Sequence, residues 1–301
     1  MVAALLAATT LTLALAGCGG ASISARPGQI VAVGAENEYA NVIQQIGGRY
    51  VAVTAIMSNP NTDPHSFEAS PSVARTVSAA RLVVQNGLGY DSFMDNIEAA
   101  AQNSARRVIV VQKLLGLPDS TPNPHLWYSP RTMPALAAAL ATALTRIQPA
   151  HAAYFAADLR RFDASLQPWL SALAAFKARY PDTAVATTEP VGDYMLRAAG
   201  TRNLTPWGLQ AEIMNGVDPA AQDITLQDGL FSGHRVKVFV YNQQVTDTLT
   251  QAFKSAALRA GIPVVGVYET MPSGYSYQRW MLAEVQALRR AVNEHRSTEK
   301  L

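Results

Sequence analysis

The 301-residue chain is 49% hydrophobic and 15% charged, a balance that excludes a disordered polymer and supplies apolar material for two lobes around substantial cores. Its formal net charge is +2 and its 24 Lys and Arg are scattered, which excludes a nucleic-acid-binding class. Cys18 is the single cysteine, so there is no disulfide framework.

Residues 2–16 are almost wholly apolar or small. That run is about as long as the apolar region of a signal peptide and shorter than the roughly 20 residues of a membrane span. No Lys or Arg precedes Cys18, so the usual cationic lead is missing. Leu15-Ala16-Gly17-Cys18 resembles a bacterial lipobox, in which cleavage before a diacylglycerol-modified cysteine leaves a lipid anchor. Residues 1–17 are then expected to be a signal peptide. Residues 18–28 would carry lipidated Cys18 and a flexible tether beginning Gly19-Gly20-Ala21-Ser22. The expected location is extracytoplasmic, at the cell surface or in the periplasm, held at the membrane by the anchor. A buried cysteine in an N-terminal helix is the competing reading.

Further along, residues 29–33 form a short apolar strand candidate, and 38–47 suit a helix stopped at Gly47-Gly48. A strand over 50–56 leads into a loop over 58–64 rich in Asn, Pro and Asp. Helices over 71–80 and 91–103 and strands over 82–85 and 107–111 complete a βαβ pattern, which implies a mainly parallel sheet. From Pro130 the pattern changes. Residues 131–147 and 150–179 are helix-forming, and Pro149 divides them. Leu159, Phe162, Leu166, Leu170, Leu173 and Phe176 recur every three or four residues, so the second of these is expected to be one long helix buried along one side. Strands over 183–187, 236–240 and 263–268 then alternate with helices over 191–199, 246–260 and 277–295. The expected architecture is α/β: a lobe over 29–148, a long connecting helix over 149–180, and a second lobe over 181–301.

Two of the five histidines share a local setting, Asp63-Pro64-His65 and Asn123-Pro124-His125. Proline restricts the backbone before each imidazole, and loops at strand ends are where open α/β sheets bind ligands. Imidazole is the commonest protein metal ligand, although a lone loop histidine is ordinarily just solvated. Two strand patterns of the second lobe offer a carboxylate at their C-terminal ends: Glu189 after 183–186 and Glu269 after 264–268. A buried carboxylate must be hydrated, paired or metal-bound. Read singly, each is better taken as a solvated loop acid or a helix N-cap neighbour. Read together, two ligands from each lobe would place one ion between them. His151 and His295 fall in polar helical settings and are expected to be solvated. His234 is left outside the site, and Trp127 and Tyr194 are expected to wall the cleft.

The segment Asn59-Pro60-Asn61-Thr62-Asp63-Pro64-His65-Ser66-Phe67-Glu68-Ala69-Ser70-Pro71 resembles the first metal-binding loop of the zinc/manganese ABC-transporter solute-binding proteins. Leu82–Asp91 is similar to the strand and turn that follow it in that family. Asn123-Pro124-His125-Leu126-Trp127-Tyr128-Ser129-Pro130 resembles the second loop, Thr188-Glu189-Pro190 the third ligand segment, and Tyr268-Glu269-Thr270 the fourth. The similarity runs in order over roughly residues 28–297. It implies His65, His125, Glu189 and Glu269 as ligands of one transported Mn2+ or Zn2+, an ABC permease with its ATPase as partner, a monomeric chain and modest lobe movement. This sequence departs from the family in having Ser129 where an acid is common, no His-rich loop between 112 and 124, and Glu269 for the usual aspartate. Glu189 in place of histidine resembles the manganese-type pattern.

Two imidazoles and two carboxylates sum to −2, cancelling a divalent ion and lowering its cost of burial. Four N2O2 donors suit Zn2+, whereas two-oxygen binding by the carboxylates would suit Mn2+. Affinity should fall as pH drops through roughly 6, where an ordinary imidazole protonates. A metal-dependent hydrolase and a metal-stabilised surface adhesin are the alternatives. Against an enzyme, no His-Glu-x-x-His helix, nucleophile elbow or obvious general base is present.

Overall fold

The structure, a computed structural model, describes residues 25–59, 67 and 69–301. The first lobe is built on β1 (Ile30–Glu36), β2 (Val51–Met57), β3 (Leu82–Gln85) and β4 (Arg107–Val110), all parallel, in the order β2-β1-β3-β4. The second repeats this arrangement with β5 (Ala184–Thr187), β6 (Arg202–Asn203), β7 (Val238–Asn242) and β8 (Val264–Val267), ordered β6-β5-β7-β8. In each sheet the chain reverses its direction of travel beside the first strand. Such a switch point opens a crevice at the C-terminal strand ends.

The central strands read as near-continuous apolar runs because helices cover both their faces, as parallel sheets require. In the first lobe these helices are α1 (Asn37–Gly47), α2 (Pro71–Ala79), α3 (Phe93–Ala100), α4 (Val111–Leu114) and α5 (Thr132–Ile147). Gly48 ends α1 at φ +51°, a conformation that costs glycine little. Pro71 opens α2 in the first turn, where its missing N–H costs nothing.

Residues 149–180 connect the lobes, but not as one helix. A 3-10 turn over Pro149–His151 leads into α6 (Ala152–Ser165), and α7 (Gln167–Arg179) restarts after Leu166. Pro168 lies in the first turn of α7; inside an uninterrupted helix its ring would displace the carbonyl four residues back. The apolar stripe survives the break, with Phe155, Phe162, Leu166, Trp169, Leu173 and Phe176 all buried.

The second lobe adds α8 (Asp193–Ala198), α9 (Trp207–Met214), α10 (Ala221–Ser232), α11 (Thr248–Arg259) and α12 (Tyr277–Glu294). Asp247 and Thr250 form a reciprocal capping box at the start of α11. The buried face of α12 packs on α7 and β8 and reaches α1. As a result one core runs from Ile30 and Leu82 in the first sheet through the connecting helices to Val185 and Val265 in the second. Two smaller cores lie on the outer faces of the sheets. Among the described residues no helix is long and apolar enough to cross a membrane.

Candidate metal centre

The C-terminal strand ends of both sheets meet where the lobes face each other. From the first lobe comes the loop Asn123-Pro124-His125, with His125 fully buried. From the second come Glu189, two residues beyond β5, and Glu269, two residues beyond β8; both are buried. The structure brings His125 and Glu269 together, with Nε2 and Oε2 3.2 Å apart. Two ligands of one tetrahedral Zn2+, each about 2.1 Å from it, lie about 3.4 Å from one another, so the spacing suits a shared ion.

Glu189 belongs to the same group through Asn242, the last residue of β7. Its Nδ2 donates to Oε1 of Glu189 at 3.1 Å and to Oε1 of Glu269 at 2.7 Å. The Tyr90 hydroxyl donates to Oε2 of Glu269 at 3.0 Å. His65, expected as the fourth ligand, and Cys18, the expected lipidation site, lie outside the described residues. Among the described residues alone no three His, Cys, Asp or Glu side chains form a complete metal-holding group.

The outer partners decide how His125 is presented. Asn123 Oδ1 lies 2.8 Å from His125 Nδ1 and also accepts the His125 backbone N–H. An amide oxygen can only accept, so Nδ1 carries a proton and Nε2 is the ring nitrogen turned to the second lobe. Asn123 Nδ2 in turn donates to the Pro190 carbonyl beside Glu189, and Tyr194 donates its hydroxyl to the Asn123 carbonyl. Tyr194 therefore ties the lobes together. Trp127 is wholly buried, edge-on to His125 at 5.4 Å between ring centres and tilted against Tyr90 at 5.1 Å.

The Tyr90 turn is equally supported. Asp91 accepts the backbone N–H groups of Asn86 and Gly87, and Asn86 Nδ2 donates to the Pro124 carbonyl. Gly87 adopts φ +84°, and a Cβ there would press on Gln112 and Val110. Gln244 performs the corresponding task in the second lobe, accepting the backbone N–H groups of Glu269 and Thr270 through one oxygen.

The surroundings are acidic and dry. Burial raises the Glu38 carboxyl to about 8 and Asp91 to about 6. Glu36, at the end of β1, is pushed well up by burial and then by the neighbouring charges of Asp91 and Glu38. Burial, followed by the charge on Glu269, raises the Tyr90 phenol well above its ordinary value, so it remains a hydrogen-bond donor.

The remaining histidines are placed elsewhere. His151 is not simply solvated: its ring stacks on Tyr50 at 3.8 Å. His234 and His295 take left-handed backbone conformations, His295 at the end of α12. Asn242 and Gln244 carried no sequence signal of a site role, because such an amide becomes a partner only once the strand order is known, and Asn123 stood in the His125 motif without a role of its own.

Residues 33–291 match the family described as zinc-uptake complex component A, periplasmic (ZnuA). The manganese-binding lipoprotein MntA of Bacillus subtilis is 28% identical over 163 residues, covering 52% of this chain and 53% of MntA. The chain spans about half the length of the first curated relatives it matches. Among solved structures, the periplasmic zinc-binding protein TroA from Treponema pallidum superposes with a TM-score of 0.73 at 17% identity, over 89% of this chain and 100% of TroA. FpvC from Pseudomonas aeruginosa in complex with Mn2+ gives 0.70 at 19% identity, over 88% and 98%. The paired parallel sheets are the fold of these proteins, and the chain belongs to the zinc-uptake complex component A family.

Proposed function

We propose that the chain is an extracytoplasmic solute-binding protein that captures Mn2+ or Zn2+ between its lobes and delivers it to an ABC permease with its ATPase. The ligands are His65 and His125 from the first lobe and Glu189 and Glu269 from the second. One observation carries the reading: the imidazole of His125 and the carboxylate of Glu269 approach to 3.2 Å across the lobe interface, with Glu189 joined to Glu269 through Asn242. The buried setting supports ion capture, because two imidazoles and two carboxylates neutralise a divalent cation as it leaves water. All four ligands engaged would leave no coordination position for an activated water, and the protein would act by binding rather than by turnover. The lipid on Cys18 holds the protein at the membrane, a reading supported by the lipoprotein MntA among the relatives.

The test is metal content. The full chain, purified in mild detergent without chelator, should carry about one ion, a stoichiometry set by one four-ligand site. His65→Ala, His125→Ala and Glu189→Ala should each lose it, measured by inductively coupled plasma mass spectrometry. A wild-type chain that neither carries nor takes up Mn2+ or Zn2+ would overturn the proposal.

A further inference from the structure

We propose that Asn242 determines which metal the centre prefers, by withholding one oxygen of each ligand carboxylate from the ion. The inference rests on the four-ligand reading above and deepens it. β7 lies between β5 and β8 in the sheet, so its last residue stands between the two strands whose ends lead to Glu189 and Glu269. Asn242 is fully buried there. Its orientation is fixed, because Oδ1 accepts the Gln244 backbone N–H at 3.0 Å and its own backbone N–H donates to Thr188 Oγ1. The amide NH2 must therefore face the carboxylates. Its two hydrogens serve two acceptors: Oε1 of Glu189 at 3.1 Å and Oε1 of Glu269 at 2.7 Å. The other oxygen of Glu269, Oε2, is the one beside His125 Nε2.

One neutral donor thus holds two like-charged groups side by side before any cation arrives, and it engages one oxygen of each. A carboxylate so held turns its other oxygen to the ion; in Glu269 that oxygen, Oε2, faces His125 and is steadied there by the Tyr90 hydroxyl. Two imidazole nitrogens and two single oxygens make four donors, the number a tetrahedral Zn2+ site uses. Mn2+ favours more oxygen donors, which this centre could supply only if both carboxylates turned to bind through two oxygens. Asn242 opposes that turn.

The experiment compares the full-length wild type with Asn242→Ala and with Asn242→Asp, which keeps the size and the Gln244 acceptor while losing the NH2. Zn2+ and Mn2+ affinities are measured by competition titration, and Co2+ is loaded as a spectroscopic probe. The expected result is a zinc affinity lowered about 10- to 100-fold, the usual effect of removing an outer partner of a ligand. Manganese affinity should fall much less, so that the zinc-to-manganese ratio shrinks. Wild-type Co2+ should show the intense visible bands of tetrahedral coordination, and both variants the weak bands of higher coordination. Equal losses for both metals with an unchanged Co2+ spectrum would make Asn242 a structural residue and overturn this inference while leaving the four-ligand reading intact. A wild type that binds none of the three ions would overturn both.

Discussion

Asn123 joins three segments through one residue. Its Oδ1 takes both the backbone and ring N–H of His125, its Nδ2 reaches the Pro190 carbonyl, and its own carbonyl receives the Tyr194 hydroxyl. Asn123→Ala removes the acceptor that sets the His125 tautomer and the tie to the Glu189 loop. Metal affinity is expected to drop about 10- to 100-fold, read by titration against a chromophoric chelator. An unchanged affinity would show that the tautomer is set without Asn123. At this scale the positions of His125, Glu189 and Glu269 were legible in the sequence, since each follows a proline or the end of an apolar strand. The amides that orient them were not legible. Asn123 and His125 are neighbours in sequence, but Asn242 meets Glu189 across 53 residues and Glu269 across 27.

The elements are coupled by a buried strut. Tyr128, in the 3-10 turn just after His125, donates its hydroxyl to the Tyr268 carbonyl and accepts the Tyr268 N–H. Tyr268 immediately precedes Glu269, so this bond fixes the spacing of the two ligand loops. Glu284, on α12, stands behind the strut, with Oε1 accepting from Trp280 Nε1 at 3.0 Å and lying 3.4 Å from the Tyr128 hydroxyl oxygen. Burial raises its carboxyl from 4.5 to about 8. Between those values the folded chain holds a proton that the unfolded chain has released. Glu284 therefore lowers stability progressively as pH rises through that window, and has no such effect below it. Glu284→Gln keeps the acceptor and removes the ionisation. Relative to wild type it should gain on the order of 2 kcal/mol at pH 8 and little at pH 5, measured by urea unfolding. An identical difference at both values would place the proton elsewhere.

Element type was readable wherever periodicity was strong, as in α5 and α12. The break at Leu166 was not, because the stripe from Phe155 to Phe176 continues across it and only the position of Pro168 marks it. Helices α9 and α10 also escaped the sequence reading; their buried residues are few and lie on no extended apolar face.

At the scale of the whole molecule, the two lobes were legible from the recurring strand–helix alternation, whereas the bonds that cross between them were not. Those bonds are numerous. Asn37 exchanges two with the Met271 backbone, Tyr277 donates to the Trp127 carbonyl, and Gln45 and Gln278 pair side chain to side chain. Beneath them the main core is continuous through both sheets and α5, α6, α7 and α12. Wide hinge opening would have to expose that core to water, at roughly 25 cal/mol for each Å² of apolar surface. It would also break the Tyr128 strut and the Asn123–Pro190 bond together. Release of an ion is cheaper by loosening one ligand loop while the lobes stay packed, since local opening costs less than separating a shared core. Small-angle X-ray scattering tests this directly: the radius of gyration with and without bound metal should agree to within about 1 Å, the scale of rearrangement in preorganised sites. A contraction of several Å on loading would mean that the lobes close as rigid bodies, and that the shared core divides between them in the metal-free state.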